Sequence, residues 1–148
     1  MAMKKFLAAL TLIVTSSYAV FGQAPQASDT SAVYPKTTPA YGVLILQKVA
    51  VEVDLEDLRS KLTSDSQEFK TKRFELMAVG REMERMQRLE RAVLPKLTTT
   101  YGNLILRKVA LEVELNDLRS SITPEHPDFR KRRTELDTLE REINDMLR

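Results

Sequence analysis

The sequence predicts an all-α fold: two tandem antiparallel helical hairpins, as a four-helix bundle or a coiled-coil-like assembly, after a signal peptide and a flexible linker. Three observations predict it. The stretch "YGVLILQKVAVEVDLEDLRS" at Tyr41–Ser60 returns as "YGNLILRKVALEVELNDLRS" at Tyr101–Ser120. Within each copy, apolar residues recur at three- and four-residue steps, the period of one helical face. Clusters of Pro, Ser and Thr then divide each copy into two segments of helical length.

The N-terminus reads as an export signal over residues 1–24. Lys4 and Lys5 precede the apolar run "FLAALTLIV" at Phe6–Val14, and small residues follow at Ser17 and Ala19, then at Gly22 and Ala24. That order is the order of a secretory signal peptide. Thr11, Thr15, Ser16 and Ser17 interrupt the longer stretch Phe6–Phe21, which falls short of the roughly 20 apolar residues of a spanning helix. Residues 25–39 form the linker: "QAPQASDTSAVYPKTTP" from Gln23 has no apolar period and too little to bury.

The duplication defines the two units, residues 40–93 and 94–148. Tyr34–Arg88 aligns on Leu94–Arg148 without a gap, and roughly half of the paired positions are identical. Two copies are fewer than a solenoid needs; they suffice for a bundle.

In the first segment of each unit, "VAVEVDL" alternates as a strand would. The longer pattern is helical. Leu44, Val51, Leu55, Leu58 and Leu62 make one stripe, and Leu104, Leu111, Leu115, Leu118 and Ile122 make its copy. No turn residue interrupts Val43–Lys61. Ile45, Val49 and Val53 fall on roughly the opposite side, at about 100° per residue, so this helix needs cover on two faces. It sits between neighbours, within one chain or across an oligomer. The slots at Lys48 and Lys108 break the seam. A lysine there either snorkels past the seam to water, the simpler reading, or fixes register or oligomer state.

The second segment of each unit carries one stripe: Phe69, Leu76, Val79, Met83 and Met86, then Phe129, Leu136, Leu139, Ile143 and Met146. Its other face is charged. Glu68–Lys72, Asp128–Arg132 and Glu84–Arg88 have the favourable four-residue order. Thr38 and Thr98 are expected N-caps, with Pro39 at the first helical position; Ser66 caps the second segment of unit one, and Pro127 opens that of unit two. "LPKLTTT" breaks the chain between units.

Charge and composition exclude several classes. Of 23 basic residues, Lys4 and Lys5 lie in the signal, which leaves 21 against 21 acidic ones. The signs are interleaved, so no nucleic-acid partner is expected. There is no cysteine, hence no disulfide, thiolate zinc site or lipid-modified cysteine. The only histidine, His126, lies in a turn, has Ser66 as its counterpart in the first copy, and reads as a cap or turn residue. A bundle di-iron site needs two histidines. Glu52, Asp54, Glu56 and Asp57 lack the glycine turn of a calcium loop and read as a solvated face. Met77, Met83 and Met86 suit a soft cation such as Cu(I), but read first as core fillers. No nucleophile motif or phosphate loop is present, so no enzyme, cofactor or metal is expected.

"TPEHPDFRKRRTELDTLEREI" at Thr123–Ile143, with Thr123, Pro124, His126 and Pro127 ahead of heptad leucines, resembles the hairpin turn and descending helix of periplasmic coiled coils in polysaccharide chain-length regulators. The resemblance covers about one seventh of the chain and implies hairpin geometry alone, because those proteins carry flanking membrane helices that have no counterpart here. The expected role is that of an exported, non-catalytic protein of a bacterial envelope, periplasmic or secreted. It acts through self-association or contact with another envelope protein, with no transmembrane segment after signal cleavage. A chaperone-like binder of unfolded clients and a methionine-based soft-metal binder are the alternatives.

Overall fold

The computed structural model describes residues 34–148; the expected signal peptide and residues 25–33 of the expected linker lie outside them. Four α-helices follow in order: α1 (Pro39–Lys61), α2 (Gln67–Gln87), α3 (Thr99–Leu118) and α4 (Pro127–Leu147). Short 3-10 turns at Pro35–Thr37 and Arg91–Lys96 precede α1 and α3. No strand occurs among the described residues. The alternating "VAVEVDL" is helical: the three- and four-residue steps outweigh the local alternation.

The caps are those the sequence specifies. The Tyr41 backbone N–H donates to Thr38 Oγ1 at 3.4 Å, and the Tyr101 N–H to Thr98 Oγ1 at 3.3 Å. Phe69 N–H donates to Ser66 Oγ at 3.3 Å. Each such bond satisfies one of the four donors a helix start leaves free. In α4 the cap is His126, whose Nδ1 accepts from Asp128 N–H at 3.3 Å, with Pro127 at the first helical position. The linker expected to reach residue 39 ends earlier. Pro35–Thr37 is a 3-10 turn, and Thr38 is buried with its hydroxyl donating to Pro35 O at 2.8 Å. Leu62, expected in the α1 stripe, is instead the extended C-cap residue and is 40% exposed. Ile122 likewise lies beyond the end of α3, half-buried in the turn.

The two hairpins are built to one register. Gln47 Nε2 donates to Glu75 at 2.7 Å across α1 and α2; their counterparts Arg107 and Glu135 bridge α3 and α4. Lys72 reaches Asp54 at 2.9 Å and Glu75 at 3.2 Å, and its counterpart Arg132 reaches Glu114 at 2.9 Å and Glu135 at 3.0 Å. The expected Glu68–Lys72 and Asp128–Arg132 pairs are therefore not made: each cation turns inward to the facing helix of its own hairpin. Glu84–Arg88 is made, at 3.6 Å. Hydrogen bonds from the Arg107 and Arg132 guanidinium groups hold the Glu135 carboxyl below the usual carboxylate range.

The hairpins are not packed as mirror partners. α1 lies on α2 and α3, α2 also lies on α3, and α4 lies along α3. The main core therefore spans both units: Leu44, Val79 and Met86 from the first meet Tyr101, Ile105 and Val109 from the second, with Leu94 and Leu97 of the connecting turn. A smaller core of Leu111, Leu115, Phe129 and Leu136 belongs to the second hairpin alone. Burying each such aliphatic side chain contributes about 1.5–3 kcal/mol, and the first hairpin gains much of its share only against α3. At the closest approach, Ala40 N–H donates to Leu97 O at 3.1 Å, and a Cβ on Gly102 would stand 3.0 Å from Ala40 Cα. Glycine at position 102 is what lets the starts of α1 and α3 meet.

Candidate interaction surface

Where the hairpins join, α2 meets α3 through charges as well as apolar side chains. Lys108 is 6% exposed and Glu82 is 3% exposed. Their Nζ and Oε1 atoms are 2.5 Å apart, and Lys108 also lies 3.3 Å from Glu112 and 3.5 Å from Glu140. Burial pushes Lys108 down, but the carboxylates of Glu82 and Glu112 outweigh it and hold the ammonium above the usual lysine range. Arg81 pairs with Glu112 across the same contact. Farther along, Thr71 Oγ1 donates to Asp117 at 2.8 Å and Gln67 Nε2 to the same oxygen at 3.3 Å. Lys108 thus does not snorkel to water; it is enclosed because a second helix lies over it. Lys48, its counterpart, stays half-exposed and bonds Glu52 one turn on at 2.7 Å.

Of the predicted stripe, Leu44, Val51, Leu58, Leu111 and Leu115 are buried, and Leu55, Leu104 and Leu118 are half-buried. The second face of the same helices divides sharply between the copies. On α3, Ile105 is 1% and Val109 2% exposed, covered by the first hairpin. On α1 the identical residues are bare: Ile45 41%, Val49 51% and Val53 63%, with Leu46 at 73%. This strip, running along one side of α1 and flanked by Lys48 and Glu52, holds four of the seven exposed large hydrophobic side chains of the described residues. A helix with two apolar faces, one of them left uncovered, leaves such a strip unsatisfied.

Other expected features fall into place as structure. His126 caps α4. Glu52, Asp54, Glu56 and Asp57 each hold a cation: Lys48, Lys72, Arg59 and Lys61 respectively. Met86 is buried in the main core, Met83 is half-buried against it, and Met77 is 59% exposed on the other side of α2, so the three sulfurs do not converge. Among the described residues no group of three His, Asp or Glu side chains could hold a metal ion, and no buried side-chain polar atom lacks a partner. No helix of the described residues is long and apolar enough to cross a membrane.

The residue that sequence reasoning missed is Glu82. It stands three after Val79 and four before Met86, inside the apolar stripe of α2. A carboxylate in one apolar stripe and a lysine in another are complementary, and that pairing was the available signal. Comparison of the chain with protein-family models, with curated proteins and with solved structures gave no match.

Proposed function

We propose that this is an exported, non-catalytic helical-hairpin protein of a bacterial envelope, acting through self-association or through contact with another envelope protein. The observation that carries the reading is the bare α1 strip of Ile45, Leu46, Val49 and Val53, whose counterpart on α3 is closed by a helical hairpin. Exposed apolar strips of this kind mark interaction sites. The basic, apolar and small-residue order of residues 1–24 supports export.

The test is light scattering on the purified chain together with crosslinking in the native envelope. Oligomers, or a crosslinked envelope protein, are expected. A compact monomer with nothing joined to it in the envelope would overturn the reading. The same strip would also serve a chaperone-like binder. That version predicts suppression of a client's aggregation without ATP, and an Ile45→Lys variant that loses the effect.

A further inference from the structure

The contact between the hairpins has a property that bears on what lies outside the chain. Were the two hairpins related by a two-fold axis, each would bury the same residues as the other. They do not: the face of α3 is closed and the identical face of α1 is open. The contact is therefore heterologous, with two unlike halves. One half is the face of α3 that carries Ile105, Lys108, Val109 and Glu112. The other is the side of the first hairpin that carries Ala78, Val79, Arg81 and Glu82. Because each hairpin is a copy of the other, the chain owns each half twice and uses each once.

The unused halves fit one another. The α1 face repeats its α3 counterpart without change: Ile45, Lys48, Val49 and Glu52 stand for Ile105, Lys108, Val109 and Glu112. On α4, Arg141 and Glu142 stand for Arg81 and Glu82, both exposed, with Leu139 half-buried in place of Val79. Both ion pairs of the internal joint have a partner set in the unused one, whereas Arg85–Asn144 becomes Asp145–Glu84 and the Gln67–Asp117 bond has no counterpart, since Pro127 stands for Gln67. Lys108–Glu82 becomes Lys48–Glu142, and Arg81–Glu112 becomes Arg141–Glu52. Thr71–Asp117 becomes Lys131–Asp57, an ion pair in place of a hydroxyl–carboxylate hydrogen bond. The backbone agrees as well. The glycine that admits Ala40 at the internal joint is Gly102; its counterpart Gly42 has nothing within 4 Å of where a Cβ would stand. An open groove lined by Lys131, Thr138, Leu139 and Glu142 runs along α4 on the side the strip would enter.

We propose that a second copy of this chain covers the α1 strip, head to tail, by the outer side of its second hairpin. This inference rests on the self-association reading above and names its surfaces. Heterologous contacts close into a ring or continue as a filament; either way, the chain supplies the further repeats that a two-repeat stack lacks. The joint between copies is weaker than the joint within a chain. Thr138 replaces Ala78 and Thr100 replaces Ala40, so less apolar surface is removed from water.

The experiment is a charge swap on the full chain, expressed with its N-terminal segment and purified after the host's own processing. Association is followed by sedimentation velocity across a concentration series, with circular dichroism confirming the fold. Lys48→Glu and Glu142→Lys are each expected to weaken association about tenfold or more, since each sets like charges together. Mixing the two variants in equal amounts is expected to restore it. The carboxylate introduced at position 48 of one copy then meets the ammonium introduced at position 142 of the next, and the wild-type pair alternates with that reversed one. Gly42→Ala is expected to weaken association while leaving the helix content unchanged. Association undiminished by Glu142→Lys would overturn the head-to-tail joint and leave self-association standing, through α1 against α1 or another face. A wild-type chain that stays monomeric at every concentration would overturn self-association itself.

Discussion

The ion pair at the heart of the molecule permits a quantitative test. Lys108→Met removes the ammonium and keeps most of the side chain's length. Glu82, 3% exposed, is then left with only Arg85 at 3.8 Å. Removing one partner of a buried pair costs about 3–5 kcal/mol. Arg85 keeps the stranded carboxylate from being wholly unpaired, so the expected loss is at the lower end, about 3 kcal/mol. Glu82→Met is milder, because Lys108 keeps Glu112 at 3.3 Å and Glu140 at 3.5 Å. A loss of about 1–2 kcal/mol is expected there. The double variant Lys108→Met with Glu82→Met removes both charges and fills the space with apolar atoms. Its stability should lie within about 1 kcal/mol of wild type, or above it, since well-packed apolar replacements of buried pairs are often neutral or stabilising. The singles therefore should not add: a coupling of about 2 kcal/mol or more is expected between positions in direct contact. Urea unfolding followed by far-UV circular dichroism at pH 7 measures all four forms; low protein concentration keeps association from contributing. If Lys108→Met unfolded within about 0.5 kcal/mol of wild type, the level of an ordinary surface change, the enclosure of that lysine would be wrong.

Three further outcomes are expected. Gly102→Ala should destabilise by about 1–3 kcal/mol, because its Cβ would meet the Ala40 backbone at 3.0 Å, whereas Gly80→Ala, in open space within a helix, should stabilise by about 0.5–1 kcal/mol; urea midpoints of the two decide. Ile105→Ala should cost about 2–5 kcal/mol and Ile45→Ala less than about 0.5 kcal/mol in dilute solution, although the two residues are the same position of the repeat; equal losses would mean that α1 and α3 are equally covered. On the alkaline side, burial raises the Tyr101 phenol above its usual value of 10.0, and Lys108, despite its burial, is held by Glu82 and Glu112 above its usual 10.5. Both groups bind their proton more tightly in the folded chain. The stability they contribute is complete below about pH 10 and falls as pH rises through the folded values. A pH series of urea midpoints should show a fall that is shallower in the Lys108→Met with Glu82→Met variant.

The helices and their limits were legible because the signals are local. Thr38, Ser66 and Thr98 act within three residues of themselves, Pro39 and Pro127 fix the dihedral of the residue they occupy, and the stripes need only the period of one helix. The limits failed where a partner from elsewhere competes. Lys72 abandons Glu68 for Asp54 because the hairpin turn brings α1 beside it, and no spacing within α2 states that. Leu62 continues the three- and four-residue pattern, yet the chain must leave the helix after Lys61 to reach Ser66, so the last member of the stripe is left in the open. The expected linker stopped short for a similar reason: Thr38 is tied to Pro35 by a hydrogen bond that a composition-based reading of "KTTP" does not contain.

Duplication set a firmer limit on what could be read in advance. Ile45 and Ile105 sit in nearly identical twenty-residue surroundings, so neighbours in sequence assign them the same burial. The sequence does state that both faces of the helix are apolar and that both need cover. It cannot state that the one hairpin available as cover reaches only one of them. That follows from order along the chain: the first unit covers the second, and no hairpin precedes the first among the described residues. Lys48 and Lys108 show the same split in electrostatic terms. They have the same residue type, the same helix position and the same acid one turn on, Glu52 or Glu112. Yet one is half in water and the other is enclosed against Glu82, so the difference belongs to the stacking and not to the repeat. A closed pair would have made the two lysines alike. Their difference is the measure of how far this stack is from being finished by a single chain.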